Sequence, residues 1–202
     1  MPDDAARKSQ TPQSLMKLSQ IFEQERSRYV QFLVETTARI TAESKRVVGE
    51  LLLSINNEAI PYPYRYVRVD IMSDGLDGLP KPAEVVVDVD EAFEAREFNF
   101  GAFAVEVYPF TWNSIQVLVN GPIKDLRQLE GWITRWLDVE SENPPGPFGT
   151  SQAIHSFSQV ESQDGWWYLT GDFGTAPADA LSEFIELLAG QGMTRIVIRS
   201  GR

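Results

Sequence analysis

Residues 115–137 read IQVLVNGPIKDLRQLEGWITRWL, and this stretch decides the fold class. Ile115, Val117 and Val119 share one face of an extended chain and Gln116 and Leu118 the other, the period of a half-buried strand. Asn120-Gly121-Pro122 interrupts that alternation. From Pro122 to about Asp138, Leu126, Leu129, Ile133, Trp136 and Leu137 recur at helical spacing, while Lys124, Arg127, Glu130 and Arg135 lie largely off that stripe. A strand running directly into an amphipathic helix calls for a sheet with helices packed on it.

The same plan continues downstream. Glu140 to Thr150 contains Asn143-Pro144-Pro145-Gly146-Pro147 and reads as a loop. Ala153 to Glu161 and Gly165 to Thr170 read as a hairpin around Ser162-Gln163-Asp164-Gly165. Pro177 opens a second helix with Leu181, Phe184, Ile185 and Leu188 inward and Gly190 or Gly192 as its stop. Thr194 to Arg199 reads as a closing strand. Upstream, Tyr64 to Met72 alternates as a strand, Ser73 to Pro82 is rich in Gly and Pro and reads as a loop, and Glu84 to Val89 reads as a strand. Phe100 to Phe110 and Asn113 to Val119 read as two more. From about residue 115 the order is β-α-β-β-α-β, the ferredoxin-like plan. The expectation is an α+β fold: a long N-terminal helix or helical hairpin, then a mostly antiparallel sheet with two helices.

Residues 1–10 are polar and read as a disordered N-terminus. Residues 11–57 read as a helical segment, with Leu15, Leu18, Phe22, Tyr29, Phe32, Leu33, Ile40, Val47, Leu51 and Ile55 at helical spacing. One continuous helix of that length spans about 65 Å at 1.5 Å per residue, so the expectation is a hairpin or a helix that meets a second chain. The polar run from Thr36 to Ser44 is the place for a break. Pro61-Tyr62-Pro63-Tyr64 ends the segment, because two prolines remove backbone donors and restrict the residues before them. Residues 62–202 follow as an acidic α/β domain.

Composition removes many functions. The 202 residues carry 18 Lys and Arg against 29 Asp and Glu, net −11, the wrong sign for a phosphate-backbone partner, so nucleic acid is not expected. Without Cys and with one His there is no thiolate zinc site, no thiol nucleophile and no two-His metal motif. No apolar run approaches the roughly 20 residues of a spanning helix, and no apolar core of a secretory signal follows Met1 to Gln10, so no membrane association and a cytoplasmic location are expected.

Few residues invite chemistry. Asp172-Phe173-Gly174 spells the magnesium-binding tripeptide of protein kinases without its companion motifs, and reads instead as a strand-to-helix turn. His155 is the only imidazole, with Ser156 and Ser158 nearby. Strand neighbours point to opposite faces, so His155 and Ser156 form no nucleophile-base pair and His155 reads as structural. Asp88, Asp90, Glu91, Glu94 and Glu97 form the densest acidic cluster but match no EF-hand loop, and read as a solvated face suited to a basic partner. Trp132 and Trp166 are anchors for a partner or ligand if exposed. The candidate binding residues are therefore Trp132, Trp166, Asp88, Asp90 and Glu94, with no catalytic residue, metal or cofactor assigned. The expected function is a non-enzymatic interaction or assembly protein that binds a protein partner and forms a homo-oligomer. The alternatives are a small-molecule-sensing domain with an aromatic-lined pocket and, third, a carboxylate and metal enzyme.

Overall fold

The computed structural model describes residues 4–75 and 78–201, with side chains from Ser14 onward. The chain is α+β, with a long N-terminal helix, two sheets and two further helices among the described residues. Helix α1 (Asp4–Glu43) runs unbroken for 40 residues. Residues 4–10 thus lie within this helix, residues 1–3 being outside the described residues, and the chain neither folds back as a helical hairpin nor continues as helix to residue 57. Val47–Ser54 instead forms strand β1, antiparallel to β2 (Tyr66–Asp74), which also pairs β3 (Pro80–Ala83). Val47, Leu51 and Ile55 sit four apart and imitate a helix. The β-branched pair Val47-Val48 and the run Leu51 to Leu53 suit a strand equally well, and the ladder to β2 decides between them.

The second sheet has the order β4 (Arg96–Asn99), β5 (Ala104–Val107), β10 (Arg195–Ser200), β6 (Ile115–Val119), β9 (Trp166–Asp172), β7 (Ser156–Phe157), with β8 (Glu161–Gln163) also on β9. All neighbours are antiparallel except β5 and β10. The expected strand from Ala153 to Glu161 is broken into β7 and β8. The expected strand at 84–89 makes no ladder: Val85 donates its N–H to the Asp70 carboxylate and its carbonyl accepts from Asn113 Nδ2. The Gly- and Pro-rich stretch from Ser73 contributes to β2 and β3 on either side of residues 76–77, which lie outside the description.

Helices α2 (Leu126–Leu137) and α3 (Ala178–Gly190) cover the inner face of this sheet. Their Leu129, Ile133, Leu181, Phe184 and Leu188 share one core with Val105, Val117, Leu169, Ile196 and Ile198. Asp125 caps α2 by accepting the N–H groups of Arg127 and Gln128. α1 buries Leu18, Ile21, Phe22, Tyr29 and Leu33 on the same core and contacts α3, β4, β1 and β2. Its Arg26 donates to the carbonyls of Ala176 and Thr175, fastening the helix to the turn before α3.

The two sheets meet at one seam. The Arg68 N–H of β2 donates to the His155 carbonyl at 2.7 Å. The buried Arg68 guanidinium donates to the carbonyls of Leu137, Asp138 and Glu50, so a cation sits at the C-terminus of α2, where the helix dipole favours it. This seam holds the site.

Candidate functional site

His155 is fully buried between the sheets, with a carboxylate on each side of its ring. Its Nε2 lies 3.1 Å from Glu50 Oε1. Its Nδ1 lies 2.9 Å from Asp70 Oδ1 and 3.9 Å from Asp172 Oδ2, with neither oxygen on the line a hydrogen bond needs. The fold delivers each group from a different element. Gly49 pairs with Ile71 and Leu51 with Val69, which sets Glu50 of β1 beside Asp70 of β2. Asp172 ends β9, whose backbone carbonyl accepts the His155 N–H. Gly174 then turns the chain with φ +47, and a Cβ there would strike the His155 ring. The expected strand-to-helix turn is present, with Asp172 Oδ1 accepting the Gly174 N–H at 2.8 Å.

Each carboxylate is itself held. Glu50 accepts the Ser151 N–H at 2.7 Å and the hydroxyls of Ser151 and Thr175. Asp70 accepts the Tyr29 hydroxyl at 2.6 Å and the Val85 N–H. Burial by itself opposes charge on every member, and the contacts decide the outcome. For Glu50, burial is outweighed by His155, Ser151 and Thr175, and its pKa is lowered to about 2. Asp70 is likewise lowered, burial being overcome by His155, Tyr29 and Val85. Burial pushes Asp172 up to about 7 against the pull of His155, with Asp70 adding to the rise. Burial would depress His155, but Asp172, Asp70 and Glu50 raise it to about 10. Tyr29 is raised well above its ordinary value by burial and by Asp172, Asp70 and Glu50, so it remains an O–H donor.

This cluster forms a wall between two clefts. On one side a cleft of about 370 Å³ is lined by Asp70, Glu84, Asn113, Ser114, Ser156 and Asp172, among others. On the other, a hollow of about 340 Å³ touches Glu50 and Asp70 and runs between α1 and the turn at Phe148 and Gly149. The first cleft is rich in acceptors. Asn113 is buried, its Nδ2 donates to the Val85 carbonyl, and its Oδ1 has no hydrogen-bond partner. Arg68 also lines this cleft, but its guanidinium is committed to three backbone carbonyls.

The residues singled out from sequence lie elsewhere. Trp132 is 7% exposed, stacks on Phe184 with ring centroids 4.7 Å apart and packs against Phe157 and Phe173, so it is a core residue and does not meet the condition of exposure. Its indole fills the space between α2 and α3. Trp166 is half-buried on the outer sheet face, with the Arg195 guanidinium 5.3 Å from its ring centre. Asp88 and Glu94 are exposed and Asp90 half-buried. The Asp88 carbonyl accepts from Arg28 and the Asp90 carboxylate accepts the Ala92 N–H, and neither acid lines the cleft beside His155. Glu97, of the same acidic cluster, lies in β4. The sequence singled out His155 only as a structural residue and gave none of its partners. The available signal was a lone Glu in an apolar strand and a lone Asp between Val69 and Ile71.

No family model, curated protein or solved structure matches this chain. Among the described residues no helix is long and apolar enough to cross a membrane.

Proposed function

We propose that the chain is a non-enzymatic binding protein whose acidic cleft takes a small positively charged ligand. The observation that carries this reading is the convergence of acceptors on the cleft wall: Asp70, Asp172, Glu84 and the unpartnered Asn113 Oδ1, beside one arginine already engaged by backbone carbonyls. Its volume of about 370 Å³ suits a small molecule. Binding without catalysis is supported by the hydroxyl placements. Ser151 and Thr175 donate to Glu50 rather than to His155, so the imidazole activates neither hydroxyl. The test is thermal unfolding and titration calorimetry with methylammonium, guanidinium, Zn²⁺ and, as the opposite sign, phosphate. Cations raise Tm in the wild type and not in Asp172→Asn, because a ligand of the folded state stabilises by mass action. Stabilisation by phosphate alone would contradict the reading.

A protein partner is the second reading, favoured by the outer sheet face. There Trp166, Tyr108, Leu118 and Val197 surround a hollow of about 340 Å³, with Glu106, Arg195 and Arg199 at its edge. The exposed Asp88 and Glu94 would add negative charge toward a basic partner, which favours on-rate more than affinity. Native mass spectrometry of the full chain tests both this and self-association; a monomer at every concentration, with no partner retained, counts against both.

A further inference from the structure

One wall of the acidic cleft has a feature that binding an organic cation does not require. His155 Nδ1 is fully buried, makes no hydrogen bond, and faces Asp70 Oδ1 at 2.9 Å and Asp172 Oδ2 at 3.9 Å. One ligand atom from each of the three residues lies within 4.8 Å of the others. Four-coordinate bonds of about 2.0–2.2 Å place neighbouring ligand atoms about 3.3–3.6 Å apart, between the two distances found here. The three atoms are thus spaced on the scale that the ligands of one ion require.

The rest of the ring environment agrees. Nε2 is 3.1 Å from Glu50 Oε1, so an N–H there donates to a carboxylate, and Nδ1, which faces the two aspartates, is the nitrogen whose proton an ion would replace. A carboxylate behind the imidazole is the arrangement that orients metal-binding histidines and raises their basicity. Glu50 is fixed in turn by Ser151 and Thr175. Asn113 Oδ1, 6% exposed as a residue and without a partner, is a further acceptor on the same wall. The Asp172 side chain, 26% exposed, opens the position to the cleft.

The geometry points to a divalent transition-metal site made by Asp70 Oδ1, His155 Nδ1 and Asp172 Oδ2, with the remaining coordination positions open to the cleft. One imidazole nitrogen and two carboxylate oxygens, without sulfur, suit Zn²⁺, Mn²⁺ or Co²⁺; Ca²⁺ and Mg²⁺ prefer oxygen alone. Three carboxylates, Glu50, Asp70 and Asp172, face a single imidazole, so an ion that takes the place of a ring proton brings the charge this wall lacks. The inference rests on the reading of the cleft as a site for positive charge and names the class of ligand.

The test uses the full chain, stripped by a chelator and dialysed separately against Zn²⁺, Mn²⁺ and Co²⁺, with metal counted per chain and the visible absorption of Co²⁺ recorded. The expected result is one ion per chain with a protein-bound Co²⁺ spectrum in the wild type and in Asp88→Asn, which lies outside the cleft. Glu50→Gln weakens binding about 10–100-fold, the effect of removing a partner behind a ligating histidine. His155→Gln and Asp172→Asn abolish the Co²⁺ spectrum. Should His155→Gln fail to fold, Asp172→Asn and the wild-type spectrum still decide. Unchanged binding by folded His155→Gln or Asp172→Asn would overturn the site. Wild-type protein that takes no metal but is stabilised by methylammonium or guanidinium overturns the metal site and leaves the cleft reading standing; protein that takes neither overturns both.

Discussion

Glu50 shows how much one residue does in this structure. It sits in a strand with φ +49, a conformation unusual for a side chain other than glycine, and is held there by Ser151, Thr175, His155 and an Arg68 bond to its own carbonyl. Replacing it with Ala leaves His155 and two hydroxyls without their acceptor, and breaking a buried pair in this way costs about 3–5 kcal/mol. Urea unfolding of Glu50→Ala measures this, and a loss below about 1 kcal/mol would show that the pair is not formed. The pH dependence follows from the lowered pKa. A carboxyl held at about 2 in the folded state, against an ordinary 4.5, contributes stability that is complete above about 4.5 and is lost as pH falls toward 2. Acid unfolding of Glu50→Gln therefore lacks that part of the wild-type slope. Gly174→Ala is destabilising because its Cβ meets the His155 ring at positive φ; a midpoint equal to wild type would contradict the close packing of that turn. Of these residues, Asp172 to Gly174 was legible as a turn and His155 as structural. The partners of His155 were not, because Glu50, Asp70 and Asp172 stand far apart in sequence and meet only when β1, β2 and β9 assemble.

At the scale of elements, legibility followed the strength of the period. Helices α2 and α3 and strands β6, β9 and β10 each carry a clear apolar face, and their expected positions agree with the structure to within a few residues at most ends. Strand β1 did not, since spacing of four suits both a helix and a twisted strand, and only pairing with β2 separates them. Residues 84–89 failed in the opposite way. They have strand composition, yet Val85 spends both backbone groups on the side chains of Asp70 and Asn113. Trp132 sits at the contact between α2 and α3, stacked on Phe184. Truncating it to Ala removes a large buried ring, which costs about 3–5 kcal/mol. The check is the chemical-denaturation midpoint, and a shift within experimental error would place Trp132 outside the core.

For the whole molecule, α1 is the element whose role changed most between sequence and structure. Its length suggested a hairpin or a second chain, but its Leu18, Ile21, Phe22, Tyr29 and Leu33 are buried on the body of the same chain. Tyr29 reaches Asp70 and Arg26 holds the turn before α3, so the helix supports the site rather than standing apart from it. A chain beginning at Ala59 would lose α1, β1 and Glu50 together. It is expected to show no cooperative thermal transition, and a sharp transition at the wild-type temperature would mean that residues 62–202 fold alone. The two sheets, α1 and the turn at Asp172 converge on His155, the only imidazole in the sequence. Its ring ¹⁵N resonances are therefore assigned without mutagenesis, and they lie directly behind Asp70 and Asp172, which line the proposed cleft. Recording them in wild type and Asp172→Asn, with Zn²⁺, guanidinium and phosphate added in turn, is the most direct test of a cleft built for positive charge. Cations should shift these resonances in the wild type, with little change from phosphate and a smaller response in Asp172→Asn. Resonances of the folded wild type that no cation moves would contradict it.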